Sequence, residues 1–425
     1  MEKIIEHVFK YINHFHLLTY IGNLIRIPSY LDNEMQKCDY LLNEMKNIGL
    51  ETLEVIIGPS IHRRNILGYI RGAEHINSNV IVCAAHIDTH WPQKSQEEIA
   101  HSGRVIDGKI LGVGAGDSMT PLAAFLSAFD AIKKSGICLK KSACFLATVD
   151  ELGSKKGAKI LEEYGFKADM CLIGEQTDMN IGIVHSGKVE VEVQIEGNAP
   201  SLLQGHAERV GLKVGNAVTA MVKVINNLEN MVKEEPYFHK KHPLLPGEGA
   251  AFYIGPIIGG NTGYGNPNRG PGIGTETQGL AVPSPTWCKL RVGARYWPGQ
   301  SAQEFVDLVN KWSKKAISDF HGITVTVNCY LDHGNTPLET NPNAQIVSIL
   351  RSAIKQVTNR DPELIGSVYS TEGPFFQRLG AEVAWCAPGI MRVGSPNEHV
   401  TIEELETYCK IYISAIIRAC GVTNN

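Results

Sequence analysis

Apolar residues follow two different patterns along the chain, and each pattern predicts a type of secondary structure. Apolar positions three and four residues apart predict helices over about 3–25 and 33–48. Short, continuously apolar runs predict strands that are buried on both faces, most clearly at 80–83 and 142–149. Helices followed by such strands favour an α/β fold in which helices flank parallel strands.

The pattern changes in the middle of the chain. Residues 188–196 alternate strictly between polar and apolar, which is typical of a strand with one wet face. A long helical period follows at about 214–232, and a second strand region lies at 286–296. Apolar stripes at 342–357 and 401–420 then predict helices again.

Polar residues follow several predicted strands directly. His86 and Asp88 come after the strand at 80–83, and Asp117 ends a glycine run just before a predicted helix. The pair Asp150 and Glu151 follows the strand at 142–149, and Glu175 follows a further short strand. Active sites of open α/β sheets lie at the carboxyl ends of strands. Since zinc accepts His, Asp and Glu ligands, these positions together predict a carboxylate-rich metal site.

Each of these residues also has a structural interpretation. His86 and Asp88 could belong to a polar turn, and Asp117 could be a helix N-cap. A histidine at a strand end can instead point one ring nitrogen at a metal while an aspartate two residues on binds the other N–H. In an adjacent acidic pair, one side chain can be a ligand and the other a base for water.

Composition narrows the class of protein. The net charge is −4 and charged residues make up 20%, so no nucleic-acid footprint is present. No apolar run is long enough for a membrane helix, and the N-terminus lacks the apolar core of a signal peptide. The ten cysteines are scattered and form no C-x-x-C pair, which favours a reducing compartment. We therefore expect a cytoplasmic protein that binds neither nucleic acid nor membrane.

The chain contains four short motifs whose order and spacing are similar to those of a known family. They are His86-Ile87-Asp88, the glycine-rich stretch 107–117, the acidic pair with Gly153-Ser154, and Gly-Glu-Gln-Thr at 174–177. Their order and spacing resemble the di-zinc exopeptidase and deacylase family of acetylornithine deacetylase, succinyl-diaminopimelate desuccinylase, carboxypeptidase G and aminoacylase. The resemblance spans nearly the whole chain and implies a mixed, mostly parallel sheet of the zinc-exopeptidase type, with an inserted α+β domain.

The resemblance also implies a domain organisation. The catalytic domain would comprise 1–184 and 301–425, and a lid or dimerisation domain would comprise 185–300. Since that inserted domain mediates dimerisation in the family, the resemblance implies a homodimer.

The resemblance assigns the metal ligands residue by residue. His86 and Glu175 would hold one zinc, and Asp117 would bridge two zincs. Asp88 would orient the histidine. Glu151 takes the place of a ligand to the second zinc.

Further roles follow from the same resemblance. Asp150 takes the place of the general base, and Thr371 lies at the substrate-facing end of the catalytic domain. In the inserted domain, His206 would steady the oxyanion, Asn216 would contact the substrate and Arg295 would hold a substrate carboxylate. A Gly-, Asn- and Pro-rich stretch at 259–280 is interpreted as a substrate-covering loop, with a disordered insertion as the alternative.

Two departures from the family pattern affect the same half of the site. The family has a zinc-binding histidine three residues before an Asn-Glu pair, and here Gly394 stands there. His399 follows that pair but has the wrong offset for a ligand. Asp150 is one methylene shorter than the family's glutamate, which matters for a base that must reach water.

Three functions remain open at this point. The first is zinc-dependent hydrolysis of an amide or peptide bond in a small carboxylate-bearing substrate, with one zinc expected, a second doubtful, and cobalt or manganese as substitutes. The second is an enzyme of the same fold with altered chemistry, such as amide formation or acyl transfer. The third is a small-molecule binder without catalysis, which the intact His86, Asp117 and Glu175 disfavour.

Overall fold

The computed structural model describes residues 1–58, 63–74, 79–198, 209, 211, 215–247, 249–260, 285–331, 335–388 and 392–423. Contacts divide the chain into two units. The first comprises Met1–His185 and Leu338–Asn425, and the second comprises Ser186–Pro337.

The described strands are numbered along the chain. They are β1 Glu51–Ile56, β2 Arg64–Ile70, β3 Asn79–His86, β4 Arg104–Ile106, β5 Lys109–Leu111, β6 Ala143–Thr148, β7 Ala168–Gln176, β8 Ile181–His185, β9 Gly187–Gly197, β10 Ala251–Gly260, β11 Trp287–Tyr296, β12 Ile323–Leu331, β13 Leu338–Glu339, β14 Leu364–Ser367, β15 Glu382–Ala387 and β16 His399–Thr401.

The described α-helices are numbered in the same way. They are α1 Glu2–Phe9, α2 His14–Arg26, α3 Met35–Ile48, α4 Met119–Lys134, α5 Lys156–Glu163, α6 Ala217–Glu234, α7 Ala302–Ala316, α8 Gln345–Thr358, α9 Gly373–Arg378 and α10 Ile402–Cys420. Within the described ranges, no helix combines the length and the apolar character needed to cross a membrane.

The first unit contains the predicted mixed sheet. Its strand order is β1-β2-β6-β3-β7-β15-β8-β13, and β14 pairs with β8. The central pairs β6/β3, β3/β7 and β7/β15 are parallel, whereas β1, β2 and β13 pair antiparallel with their neighbours. The prediction of a mostly parallel sheet flanked by helices is therefore confirmed.

Parallel pairing brings the polar residues at the strand ends together. In the β3/β6 register His86 lies opposite Thr148, so the acidic pair that follows β6 emerges beside it. Strand β7 pairs with β3 on the other side and carries Glu175 near its own end. The common direction of β6, β3 and β7 thus delivers one histidine and three acids to one edge of the sheet.

Helices α4 and α10 cover one face of this sheet. All residues of α4 from Met119 to Ile132 are buried, and α10 buries a similar stripe. Phe125 of α4 stacks on Tyr412 of α10 with ring centroids 4.2 Å apart. This packing fixes the start of α4, directly after Asp117.

The N-terminal helical period corresponds to two helices instead of one. The predicted helix at about 3–25 is interrupted, because α1 ends at Phe9 and α2 begins at His14. Asn13 separates them: its side chain accepts a hydrogen bond from His16 N and caps α2. A cap residue inside an apolar period is easily overlooked, since the period continues across it.

The second unit is a four-stranded antiparallel sheet with the order β10-β11-β9-β12. Strand β9 alternates between buried and partly buried residues, as its sequence predicts. Helices α6 and α7 contribute to the same core; from α7 come Phe305, Val309 and Trp312.

The predicted end of the inserted domain at residue 300 is too early. Helix α7 and strand β12 belong to the second unit, which ends at Pro337. The reason is physical: β12 pairs with β9, and α7 buries its apolar stripe against that sheet. The amphipathic pattern of α7 indicated a buried face but could not indicate which sheet covers it.

Gly182 provides a test of the sheet core. A Cβ atom at this position in β8 would lie 1.9 Å from Cε2 of the fully buried Trp385 in β15. Gly182→Ala should therefore destabilise the protein by about 3 kcal/mol, the upper part of the range for overpacked cores. The measurement is the midpoint of urea unfolding.

The matched control is Gly260→Ala at the end of β10, where the nearest atom to the added Cβ is 3.6 Å away. That change should move the midpoint little. Equal midpoints for the two variants would show that Trp385 adjusts freely and that the close packing is not required.

Candidate metal centre

Three side chains converge at the carboxyl edge of the first unit's sheet. His86 Nε2 lies 3.0 Å from Asp117 Oδ1 and 3.7 Å from Glu175 Oε1. One ligand atom from each residue lies within 4.8 Å of the other two. The three residues come from the end of β3, the start of α4 and the end of β7, as the sequence predicted. Among the described residues this is the one such group of three.

The orientation of His86 is fixed by a backbone carbonyl. Its Nδ1–H donates to the carbonyl oxygen of Asp88 at 2.8 Å, while the nearest carboxylate oxygen of Asp88 is 3.6 Å away. This bond fixes the tautomer that leaves Nε2 available to a metal. The Asp88 carboxylate accepts instead from Glu151 N at 3.0 Å and Leu152 N at 2.8 Å. Asp88 thus positions both the histidine and the acidic turn, the first through its carbonyl and the second through its side chain.

The loop that carries Asp117 is held by Glu398, which sequence analysis did not single out. This carboxylate is fully buried and occupies the centre of a set of donors. Its Oε1 accepts from Gly114 N at 2.8 Å and Gly116 N at 3.2 Å. Its Oε2 accepts from Gly394 N and Gln96 Nε2, each at 3.1 Å, and lies 3.3 Å from His90 Nε2. A residue near the C-terminus therefore fixes the position of a metal-ligand candidate at residue 117.

The three residues are electrostatically coupled. Burial alone would lower the pKa of His86, but the carboxylates of Asp117 and Asp88 hold that pKa well above its usual value. Burial opposes ionisation of Asp117, yet His86 lowers the pKa of that carboxyl. Burial, and then the neighbouring Asp117 charge, raise the pKa of Glu175 well above its usual value. Two carboxylates thus share one imidazole in a buried place.

The donor set fits a metal ion. One imidazole and two carboxylates are the ligands found around catalytic zinc, which keeps a further position for water or substrate. A bound cation would also place positive charge next to the carboxylates of Asp117 and Glu175. The structure thus brings together the predicted first metal site; the metal's identity and number stay predictions.

Asp150 has partners on both carboxylate oxygens. Arg63 Nη2 donates to Oδ1 at 2.9 Å, and Ser154 Oγ and Lys156 N donate to Oδ2 at 2.8 and 3.0 Å. Arg63 in turn donates to Glu34 at 2.7 Å. These bonds tie the acidic turn to the start of α5. The base role of Asp150 stays a prediction, since it would require one of these bonds to open.

Glu151 pairs with a buried lysine. Lys155 Nζ contacts Glu151 Oε1 and lies 3.4 Å from the carbonyl oxygen of Ser370. Burial alone would lower the pKa of Lys155, but Glu151, helped by Glu372 and Glu175, raises it. The candidate ligand for a second metal therefore already has a cationic partner.

Glu372 is a second acid that sequence analysis missed. Its Oε2 accepts from Thr148 Oγ1 at 2.6 Å, and its buried Oε1 has no hydrogen-bond partner among the described residues. Burial and the neighbouring Glu151 raise the pKa of Glu372 to about 8. Its sequence signal was weak, because a glutamate after a predicted substrate threonine gives no indication of burial.

The remaining predicted site residues lie in varied surroundings. Thr371 is buried, and its Oγ1 lies 3.2 Å from His185 Nε2. Asn216 caps α6 by accepting from Val218 N and Thr219 N, each at 3.0 Å. Arg295 lies in β11 of the second unit. His206 and most of the predicted covering loop, residues 261–280, fall outside the described residues.

The C-terminal departure from the family pattern is also visible. Gly394 contributes a backbone N–H to Glu398 and has a φ of +73°, a conformation that favours glycine. His399 directs Nδ1 to the carbonyl oxygen of Asn397 at 2.6 Å and does not join the metal-ligand group. That neither residue is a metal ligand stays a prediction.

The chain is similar to known proteins in both sequence and fold. The family described as peptidase family M20/M25/M40 matches residues 82–418. A succinyl-diaminopimelate desuccinylase from Cupriavidus taiwanensis is 25% identical, over 90% of this chain and 93% of its own.

Two solved structures share the fold. A tripeptidase from Staphylococcus aureus is similar with a TM-score of 0.73 at 18% identity, over 96% of this chain and 99% of its own. A dinuclear metal-binding M20 peptidase from Bacillus subtilis is similar with a TM-score of 0.68 at 13% identity, over 96% of this chain and 99% of its own.

Metal binding should release protons. The pKa values of His86 and Glu175 are both raised when no metal is bound, so protons compete with a metal ion for these two side chains. The apparent affinity for Zn²⁺ should therefore fall as the pH is lowered from 8 to 6, and the number of protons released per bound ion should be greater than zero. Calorimetry in buffers of different ionisation enthalpy measures that number. Binding heats that do not depend on the buffer would contradict the coupling described above.

Asp150→Asn should affect stability. The change removes a buried charge from Arg63, so it should lower the free energy of unfolding by about 2 kcal/mol. Asp32→Asn is the matched control: Asp32 also pairs with Arg63, but its side chain is 73% exposed, so its loss should cost less than about 0.5 kcal/mol. Urea unfolding measures both. An unchanged stability of Asp150→Asn, together with loss of turnover, would instead favour the base role.

Proposed function

The chain belongs to peptidase family M20/M25/M40, and from this premise we propose that it is a zinc-dependent amidohydrolase or exopeptidase. A hydrolytic enzyme follows from the family itself. The proposal adds the metal and the substrate class, a small molecule in which a free carboxylate lies near the scissile amide. N-acyl amino acids and short peptides meet that description, and the names of the desuccinylase and tripeptidase above point in the same direction.

One observation carries the proposal: His86, Asp117 and Glu175 bring their ligand atoms within 4.8 Å of one another. A zinc ion bound by them would supply the Lewis acidity that polarises an amide carbonyl and activates water. A protein that had become a simple binder would have had no need to retain three converging ligands. The alternative of a binder without catalysis is therefore disfavoured.

The protein's own residues contribute orientation and exclusion of water. The Asp88 carbonyl sets the imidazole tautomer, and Glu398 fixes the glycine loop before Asp117. Asp88 and Glu398 are both fully buried, so water does not compete for these hydrogen bonds when a substrate binds. Such fixed supports matter because a ligand displaced by about 1 Å can cost a large part of the catalytic rate.

Two features of the proposal rest on the resemblance alone. Asp150 and Glu151 are the two acids that the family pattern places near the attacking water, and Glu372 is a third buried acid in their vicinity. A homodimer is proposed from the family's use of the inserted domain. The exposed apolar residues Val218 and Val222 on α6 are consistent with such an interface.

The test is metal content and turnover measured on the same samples. Protein purified without chelator should contain zinc, and it should hydrolyse members of a panel of N-succinyl and N-acetyl amino acids, dipeptides and tripeptides. His86→Ala should lose the metal and reduce kcat/KM by at least about 10³-fold, because the remaining two carboxylates form an incomplete site.

The matched control is His90→Ala, which removes a neighbouring imidazole that contacts Glu398 but is outside the ligand group. It should retain the metal. Turnover by a metal-free preparation, or an unchanged rate in His86→Ala, would overturn the proposal. Replacement by cobalt or manganese in the same assay identifies which ions the site accepts.

A further inference from the structure

The second half of the metal centre differs from a two-metal site. This inference rests on the proposed function and concerns the cation partner of Glu151. In a two-metal arrangement, the second ion would be held by Asp117, Glu151 and a histidine. Here the histidine position is Gly394, which offers a backbone N–H that already donates to Glu398. The ligand set for a second ion is thus incomplete.

Lys155 stands at the remaining ligand of that second position. Its Nζ contacts Glu151 Oε1, and the residue is only 3% exposed. The lysine has a φ of +54°, a left-handed conformation that is unusual for this residue type. Its backbone N donates to Asp150 O at 2.7 Å, which fixes this turn just before α5. The local backbone therefore holds the lysine on the acidic pair.

The ammonium group of Lys155 lies among several acidic side chains. Glu151, Glu372 and Glu175 all act electrostatically on Lys155. All three acids are buried, and one oxygen of Glu372 has no hydrogen-bond partner among the described residues. A fixed cation at Lys155 balances the charge of the Glu151 carboxylate that it contacts. It also repels a second divalent ion from the same carboxylate.

We propose that the Lys155 ammonium group takes the place of a second metal ion, so that the centre holds one metal and supplies its second positive charge from the chain. Two changes in the sequence are then complementary. The glycine at 394 removes a ligand of the second metal, and the lysine at 155 replaces the charge that this metal would bring.

An ordinary i,i+4 ion pair would predict something different. Such a pair would stabilise the start of α5 without influencing how many ions bind. The distinguishing quantity is therefore the number of metal ions per chain, and not the stability of the protein.

The experiment measures zinc per chain in the full-length protein by elemental analysis and native mass spectrometry, after dialysis against a small excess of Zn²⁺. Four proteins are compared: wild type, Gly394→His, Lys155→Met, and the Lys155→Met/Gly394→His double variant. A Cβ atom at Gly394 would have no other atom within 4 Å, so a histidine has room there, although the positive φ of this position strains the backbone of any residue with a side chain. The wild type and the two single variants should each bind one zinc per chain, and the double variant should bind two.

Lys156→Met is the matched control. It removes an exposed ammonium group from the adjacent residue and should leave the stoichiometry at one, alone or with Gly394→His. Thermal unfolding provides a readout that is independent of activity. In the wild type, zinc should raise the Tm up to one equivalent and no further, whereas the double variant should continue to gain stability up to two equivalents.

The outcomes separate the two proposals. Two zinc ions in the wild type, or only one in a folded double variant, would overturn the role of Lys155 and leave the proposed hydrolase intact. No zinc in the wild type would overturn the proposed function and the role of Lys155 with it. Should the double variant fail to fold, the wild-type titration still decides, because a second equivalent that binds beside Lys155 contradicts the inference.

Discussion

Burial of carboxylates at one edge of a parallel sheet is the constraint on which the centre depends. A buried carboxylate is costly unless positive charge or N–H donors balance it. Three acids have such partners: Glu398 has backbone N–H groups, Asp150 has Arg63 and Glu151 has Lys155. Asp117 and Glu175, by contrast, both lie close to a single imidazole, that of His86. The convergence of these two acids on one histidine is what marks the candidate cation site.

Much of the first unit could be predicted because its determinants are local. Continuous apolar runs identified β3, β6 and β7, and parallel pairing then required the residues at their ends to meet. His86, Asp117 and Glu175 were found for this reason, without any knowledge of tertiary contacts. The family resemblance added spacing to the same argument and favoured a metal site over an accidental polar turn.

The parts that could not be predicted depend on tertiary contacts. Lys155 and Glu372 are ordinary charged residues in the sequence, and only packing shows that both are buried. A carbonyl oxygen, which no sequence pattern reveals, fixes His86 where a carboxylate was expected. The end of the second unit at Pro337 depends on which sheet buries α7. In each case the residue type was compatible with several partners, and three-dimensional proximity selected one of them.

The position of β15 in the sheet has a consequence for synthesis on the ribosome. This strand comes late in the chain, yet it lies between β7 and β8, which are complete some two hundred residues earlier. The second unit is one continuous segment and can fold while translation proceeds, whereas the first must keep the edge of β7 unpaired until Glu382–Ala387 emerges. Exposed strand edges invite association with other chains. A nascent chain that stalls before this strand would already contain the candidate ligands His86, Asp117 and Glu175. It would lack both β15 and the carboxylate of Glu398, so the last tenth of the chain decides whether the candidate centre is complete.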